Sequence, residues 1–351
     1  MSTSSTTVGE DNASLILVMG ITGAGKSYFI NKTAGKNVAG VGESLKSCTA
    51  RANAIPMNIG REKVLMIDTP GFDDTERSDT EILTEISRLL ALQYELGMKL
   101  KGVIFLHRIT DVRMQGTSMK TLQICRKICG TDALKNVILV TTRWNEVDKA
   151  LGARREEELR SEFWKFMLDF GSTMMRYHGD QDSAVTIISQ LLHKETVVLD
   201  LQRELVDQGK KLSDTAAGAL VNDDIEKVKA KYEQELQDLA QLRSDLMRDS
   251  ANMKEQMRQE IEVERKKLEL LQSQQMKQQA ALQAPIGEEV RKDIDRAKKR
   301  PGNFSAAGFL PMCLSLLGMV VGIPPGATDI FMSWFGDTSI GESLTDLLSS
   351  F

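Results

Sequence analysis

A doubly wound, mostly parallel α/β domain with one antiparallel edge hairpin is predicted by two features of the sequence. An apolar run at residues 15–19 ends in glycine and feeds a helix-compatible stretch at 26–33, and the same strand–helix alternation repeats to about residue 193. Residues 52–59 and 62–67, divided by Gly60-Arg61, read as the hairpin. A helix at 82–96, a buried strand at 102–106 and a helix at 118–128 follow. Next come a strand at 137–140, a charged amphipathic helix at 154–170, a short strand at 173–177 and a helix at 184–193.

At 351 residues the chain has room for a further region. From about residue 196 to 283 it is rich in Glu, Gln, Lys, Leu and Met and nearly free of Gly and Pro, which predicts a long helix. Ile225, Tyr232, Leu239, Leu246 and Met253 recur every seventh residue, with Leu236 and Met257 in the partner register and Arg243 and Ser250 interrupting it. Two readings stand: a helix packed back on the first domain, and a self-associating coiled coil. Residues 291–300 hold six basic and two acidic side chains, after which Pro301 to Thr328 carries no charge. As a helix, 304–323 would span about 30 Å, the thickness of a bilayer's hydrocarbon layer. Pro311 and three glycines within it stand against spanning, and two readings remain: contact with anionic cytoplasmic lipid, which a basic cluster beside an uncharged stretch suits, and a strip filling a groove on the protein itself. The expected organisation is a disordered leader at 1–12, an α/β domain at 13–195, a helical or coiled-coil region at 196–290, a basic linker at 291–303, an apolar segment at 304–335 and a tail at 336–351.

The near balance of 45 Lys and Arg against 49 Asp and Glu argues against a nucleic-acid-binding protein. Four cysteines without a CxxC pair or zinc spacing fit a reduced, cytoplasmic compartment, with Cys125 and Cys129 as small buried side chains one helical turn apart.

The chemistry is concentrated early. Gly20-Ile21-Thr22-Gly23-Ala24-Gly25-Lys26-Ser27 fits GxxxxGK[ST] between a buried strand and a helix, the placement a phosphate-binding loop requires. Its glycines (Gly20, Gly23, Gly25), with Thr22 and Ala24, let backbone N–H groups turn toward phosphate oxygens. Lys26 reaches the β- and γ-phosphates and the Ser27 hydroxyl ligates Mg2+. Asp68-Thr69-Pro70-Gly71 ends the hairpin, offering a carboxylate to the Mg2+ through water and the Gly71 N–H to a γ-phosphate. Thr49 is the natural switch threonine, completing the metal shell when a γ-phosphate is present, with Ser44 and Ser47 as weaker competitors. Together these predict a P-loop G domain that takes Mg2+ with GTP or GDP.

The order GITGAGKS, SCT, DTPGF, LHRITDVRMQGTS and VTTRWNEVD resembles fungal G-domain proteins related to the septin and immune-associated (paraseptin, AIG1-type) GTPases, over about residues 13–195. The resemblance implies that the strand ending VILVTT leads into a guanine-reading element, normally Asn or Thr, Lys, any residue, Asp. Here it reads Thr142-Arg143-Trp144-Asn145. Asn145 has one acceptor where a carboxylate accepts from both guanine N1–H and the 2-amino group, and losing one such bond costs about 1–3 kcal/mol. A shifted register, Asn145-Glu146-Val147-Asp148, restores Asn and Asp but begins three residues late and puts Glu146 at the base-stacking position. Arg143 and Trp144 are able to cover a purine face. Arg176-Tyr177-His178-Gly179 resembles the family's second base-reading loop and brings in His178.

Phe72 stands where many small GTPases carry a water-orienting glutamine, which predicts slow intrinsic hydrolysis of GTP to GDP and phosphate. His107 and Arg108, at the ligand-binding edge of the sheet, are the candidates to act in its place or across a dimer interface. The expected function is a guanine-nucleotide switch. A nucleotide-stabilised assembly or membrane scaffold with negligible hydrolysis is the alternative. Expected partners are GTP, a second copy through the G domain or a coiled coil, and the cytosolic face of a membrane.

Overall fold

The computed structural model describes residues 13–39, 52–74, 77–114, 116–246 and 254–298, with Pro324, Ala327, Ile330 and Trp334. In chain order the α/β part is β1 (Ser14–Gly20), α1 (Lys26–Ala34), β2 (Asn53–Ile59), β3 (Glu62–Asp68), α2 (Asp79–Glu95), β4 (Lys99–Arg108), α3 (Thr117–Cys129), β5 (Val137–Thr142), α4 (Lys149–Glu158), α5 (Lys165–Asp169), β6 (Thr173–Arg176) and α6 (Gln181–Leu192). Six strands form one sheet in the order β2-β3-β1-β4-β5-β6, and only β2–β3 is antiparallel. The predicted fold class is the observed one. Strands β1 and β5 are buried along their whole length, as parallel strands covered on both faces must be.

One face of the sheet packs against α1 and α6 through Phe29, Ile30, Ala184, Ile187, Ile188 and Leu191. The other packs against α2 and α3, with Trp164 and Met167 beside them. Local signals set the ends of these helices. Ser78 accepts from the Glu81 N–H and the Glu81 carboxylate accepts from the Ser78 N–H, a reciprocal capping box that starts α2. The β2–β3 turn is the two-residue Gly60-Arg61, with Gly60 at φ 61.

The single helix expected at 154–170 is interrupted. Leu159–Phe163 is a π-helical turn in which the Trp164 N–H donates to the Leu159 carbonyl at 2.7 Å, and α5 resumes at Lys165. The wider turn brings Leu159, Trp164 and Met167 all to the core, a phase that an unbroken 3.6-residue repeat does not supply.

After α6, the short helix α7 (Asp200–Gln202) runs into a π turn at Arg203–Asp207. Helices α8 (Ala216–Leu246), α9 (Lys254–Leu282) and α10 (Ile286–Lys298) follow. The expected single long helix is therefore several, and α8 and α9 pack on each other as an antiparallel pair. Ile225 of α8 and Ile261 and Leu268 of α9 are buried in this arrangement. Of the heptad positions, Ile225 is buried and Tyr232, Leu236 and Leu239 are half-buried within the chain, while the side chains of Leu246, Met253 and Met257 lie outside those described. This layer also shares its core with the G domain: Leu201, Leu205, Leu282, Ile286, Val290 and Ile294 belong to the same apolar cluster as Ile86, Leu89 and Leu90 of α2. Ion pairs Arg88–Glu289 and Arg291–Glu95 border the α10–α2 contact.

The 304–323 stretch lies outside the described residues, and no helix among the described residues is long and apolar enough to cross a membrane. Trp334 is buried against the sheet edge, its indole N–H donating to Asn58 Oδ1 of β2 at 2.9 Å, and Ala327 is buried in the cluster that holds Ile55 and Met57.

Candidate functional site

β1 delivers the chain to the phosphate-binding loop beside β4. Gly20, at φ 143, lies so close to that strand that a methyl group on it would come within 2.4 Å of the Leu106 carbonyl oxygen. Gly25 is the N-cap of α1 at φ 94 and leaves the helix's first turn without a side-chain cap. Between them, Lys26 folds its ammonium back inside the loop, donating to the Gly20 and Ile21 carbonyls at 3.1 and 3.0 Å. Burial pulls its pKa down to about 8, against the attraction of Asp68 and Asp74 and with the help of Arg108.

The second motif meets the first directly. Ser27 Oγ donates to Asp68 Oδ2 at 2.7 Å, and Thr69 Oγ1 donates to the Val18 carbonyl at 2.7 Å. The Thr22 N–H reaches the Phe72 carbonyl at 3.4 Å. Gly71 sits so tightly on the loop that a methyl group there would fall 2.4 Å from Thr22 N. Phe72 is buried, so its ring packs in the core beside the loop and does not orient water. Among the described residues no cluster of three His, Cys, Asp or Glu side chains could hold a metal alone. A hydroxyl and a carboxylate already within one hydrogen bond of each other do fit Mg2+, a hard cation that takes one or two protein oxygens and completes its shell with water and phosphate. Thr49 lies outside the described residues.

At the end of β5, Thr142 Oγ1 donates to the Ala24 carbonyl at 3.0 Å and Arg143 Nη2 to the Gly23 carbonyl at 3.2 Å. Arg143 holds a left-handed backbone at φ 63 and pairs with Glu146 at 3.0 Å. Asp148 caps α4, its Oδ1 accepting from the Ala150 and Leu151 N–H groups. The register beginning at Thr142 therefore lies against the loop, and the shifted one ends on a residue used as a helix cap. Asn145 is exposed between the two. Trp144 faces elsewhere: its Nε1–H donates to Thr141 Oγ1 at 3.0 Å, the Arg176 guanidinium covers its ring at 4.2 Å, and Gly152 of α4 makes room for it. Of the two residues expected to cover a purine, only Arg143 points at the loop. His178 is exposed and its N–H donates to Ser183 Oγ at 3.2 Å, while Tyr28 of α1 donates to the Gly179 carbonyl at 3.2 Å. That loop is thereby tied to the phosphate-binding helix.

The two catalytic candidates part company. Strand β4 extends past 106, pairing His107 with Thr141 and Arg108 with Thr142, so adjacent side chains take opposite faces. His107 goes inward, 4% exposed and edge-on to Trp164 at 6.0 Å. Burial holds its pKa down to about 4, although Asp111 pulls the other way. A neutral imidazole packed in the core is not a general base for a ligand over the loop. Arg108 goes to the loop: its Nη1 is 3.2 Å from where a methyl on Gly23 would be, and its Nε lies 2.9 Å from Asp111 Oδ1. Arg155, which sequence reasoning did not single out, donates to the Ile109 and Thr110 carbonyls at 3.0 Å and fixes the chain just after Arg108.

With this geometry in place, comparison with known proteins is direct. Residues 14–158 match the AIG1 family. That span contains the loop, the DTPG turn, Arg108 and Asn145, and it covers less than half of the chain. It supports the immune-associated side of the resemblance and carries neither a septin relation nor a fungal source. Among curated relatives, GTP-binding protein A of Dictyostelium discoideum is 28% identical over 141 residues, 40% of this chain and 30% of its own length. Translocase of chloroplast 90 of Arabidopsis thaliana is 32% identical over 131 residues, 36% of this chain and 16% of its own. The chain thus spans under a third of the length of these two relatives. Toc33 of Arabidopsis thaliana, solved with Mg2+ and GMPPNP, is 16% identical with a TM-score of 0.41, covering 53% of this chain and 87% of that one. A likeness of that degree adds nothing to the fold already read from the sheet order.

The buried imidazole has a pH consequence. Its pKa is about 4 in the folded protein against 6.5 as an ordinary value, so between these limits the unfolded chain binds the proton and the folded one does not. Acid should therefore erode stability from pH 6.5 downward, by up to about 3 kcal/mol near pH 4, with no contribution above pH 6.5. In urea unfolding at stepped pH, His107→Gln should lose this part of the slope; equal slopes would contradict the burial argument.

Proposed function

We propose that the chain binds GTP and GDP with Mg2+ and works as a nucleotide switch that hydrolyses GTP slowly to GDP and phosphate. The observation that carries the reading is the joining of the two motifs, with Ser27 on Asp68 and Gly71 against Thr22, beneath a loop whose lysine is already in place. The AIG1 match over the same residues supports it. When bound, Mg2+ offsets the charge of the β- and γ-phosphates. Ser27 and Asp68 hold that ion, Lys26 neutralises the phosphates, and Thr142, Arg143 and Asn145 receive the base. Lys26→Ala should abolish GTP binding in calorimetry. In the wild type, affinity should fall as pH rises above 8, because the free protein's Lys26 loses its proton near pH 8 and binding requires the ammonium. Undiminished GTP affinity in Lys26→Ala would sink the assignment.

We assign to Arg108, whose guanidinium lies against Gly23, the role of opposing charge on the phosphates in the absence of a glutamine after Gly71. Single-turnover hydrolysis by Arg108→Ala should slow by about 10- to 100-fold, with GTP affinity changed far less. Repeating the measurement across protein concentrations adds the homodimer to the test, since a rate supplied across a G-domain dimer rises with concentration and a rate supplied within one chain does not. An unchanged rate in Arg108→Ala would remove Arg108 from that role, and no measurable hydrolysis by the wild type would leave the scaffold reading in its place; buried Phe72 is the observation that favours that second reading.

The proposed setting is the cytoplasm, with the C-terminal region meeting the cytosolic face of a membrane. Its supports are the basic cluster 291–300 and the uncharged stretch that follows. Part of that cluster is engaged in the protein, since Arg291 pairs with Glu95 and donates to the Val206 carbonyl. The apolar stretch is therefore expected to supply most of the attachment. Full-length protein should pellet with vesicles containing anionic lipid and resist a high-salt wash, whereas protein ending at Arg300 should not pellet. Equal recovery of both in the supernatant at low salt would exclude the contact.

A further inference from the structure

On the nucleotide-binding reading the loop after β5 meets the base, and it lacks the free carboxylate that pairs with both donors of guanine. Thr142 and Arg143 anchor it to the Ala24 and Gly23 carbonyls. Three residues beyond Thr142 stands an exposed amide, Asn145, to which the proposed function gives the base edge. The two carboxylates nearest in sequence are committed: Glu146 accepts two hydrogen bonds from Arg143, at 3.0 and 3.3 Å, and Asp148 caps α4 through the Ala150 and Leu151 N–H groups. Neither is placed to substitute for Asn145, and moving either one breaks an interaction that shapes the loop.

The purine edge decides what such a site prefers. Guanine presents two donors side by side, N1–H and the 2-amino group, which an ionised carboxylate accepts with its two oxygens. An amide has one acceptor oxygen and one donor nitrogen. Set against guanine, the Asn145 oxygen takes N1–H and its NH2 group faces the 2-amino group, donor against donor. Xanthine keeps N1–H but carries a carbonyl oxygen at position 2, so the same amide makes both bonds. Hypoxanthine keeps N1–H and has only C–H at position 2, giving one bond and no opposed pair.

We infer that Asn145 makes the base site complementary to 2-oxo and 2-unsubstituted purines, so that nucleotides of xanthine, followed by hypoxanthine, bind more tightly than those of guanine. The inference rests on the nucleotide-binding reading above and deepens it by naming the base. Arg143 stacks the ring whichever purine is bound, because its guanidinium is held by Gly23 and Glu146 and not by the base edge.

The test is calorimetric titration of the full-length protein with XDP, IDP and GDP, each with Mg2+, repeated on Asn145→Asp and Asn145→Ala. Wild type should hold XDP about 10-fold or more tighter than GDP, with IDP between them, since one opposed polar pair is worth about that much. Asn145→Asp should invert the order in favour of GDP, and Asn145→Ala, which removes donor and acceptor together, should bring the XDP and GDP affinities close to each other. Because Asn145 is exposed, both variants are expected to fold, and retained binding of any one diphosphate confirms it. If the wild type binds GDP as tightly as XDP or tighter, or if Asn145→Asp leaves the order unchanged, the inference is overturned while the nucleotide-binding reading stands. If the wild type binds none of the three, that underlying reading falls, and the inference falls with it.

Discussion

Lys26 carries its ammonium inside the loop it belongs to, bonded to the Gly20 and Ile21 carbonyls, and a charge so thoroughly removed from water is tolerated only where its surroundings are arranged for it. Asp68, the last residue of β3, and Asp74, in the segment that follows, supply the compensating field. Asp68 in turn accepts from Ser27, the residue after the lysine. The loop cannot relax away from these partners, because Gly20 is pressed on Leu106 and Gly71 on Thr22 with no space for a side chain at either contact. Two glycines that meet backbone to backbone thus hold together the lysine, the hydroxyl and the carboxylate, and a third contact, Thr142 on Ala24, brings in the base-reading loop. A polyphosphate would enter a site whose ordering has already been accomplished by folding.

The helical layer makes the most of its contact with α2, the helix that starts just beyond the DTPG turn. The inner face of α2 packs on the sheet and its outer face on α9 and α10. At its N-terminus Asp79 binds the Lys120 ammonium at 2.7 Å, and the same ammonium reaches Asp224 of α8 at 2.9 Å. Burial alone would lower the Lys120 pKa, but the two carboxylates outweigh it and hold it above the ordinary lysine value. Asp79 also accepts from the Asp73 N–H, two residues after Gly71. The DTPG turn is thus linked by polar contacts through Asp79 and Lys120 of α3 to α8, and α2 joins it by apolar packing to α10.

Much of this was legible in the sequence for a physical reason: the phosphate-binding loop and the DTPG turn depend on backbone shape, and glycine, lysine and serine at fixed spacing leave few alternatives. The order of strands and helices was legible because buried parallel strands read as unbroken apolar runs. What could not be read depended on the third dimension. His107 and Arg108 are neighbours in the chain, and only the length of β4 reveals that one enters the core and the other reaches the loop. Trp144 looked available to a purine until Arg176 and Gly152, distant in sequence, were seen to enclose it. The π turn at Leu159–Phe163 has no compositional mark, and the seven-residue repeat of α8 is the same whether the partner is a second copy or α9.

Strand β2 shows why the C-terminal segment's destination is a matter of competing burial. It is the sheet's edge, and it carries Pro56, a residue that cannot donate to a further strand and is tolerated at such an edge. Its apolar side chains Ala54, Ile55 and Met57 are nonetheless buried, and Trp334, Ile330 and Ala327 join the clusters that bury them. A tryptophan buries about 150–250 Å², which at about 25 cal/mol per Å² is worth roughly 4–6 kcal/mol as an upper estimate. An apolar lipid layer would offer the same side chain a comparable gain, so hydrophobicity alone does not choose between the two. The hydrogen bond from the Trp334 indole to Asn58 does discriminate, because it is specific to β2 and would be exchanged for a headgroup or water on release. On the proposed membrane reading, therefore, the lipid surface must offset a polar contact as well as match the apolar burial, and attachment is expected where anionic lipid adds its attraction for the basic residues that precede the segment.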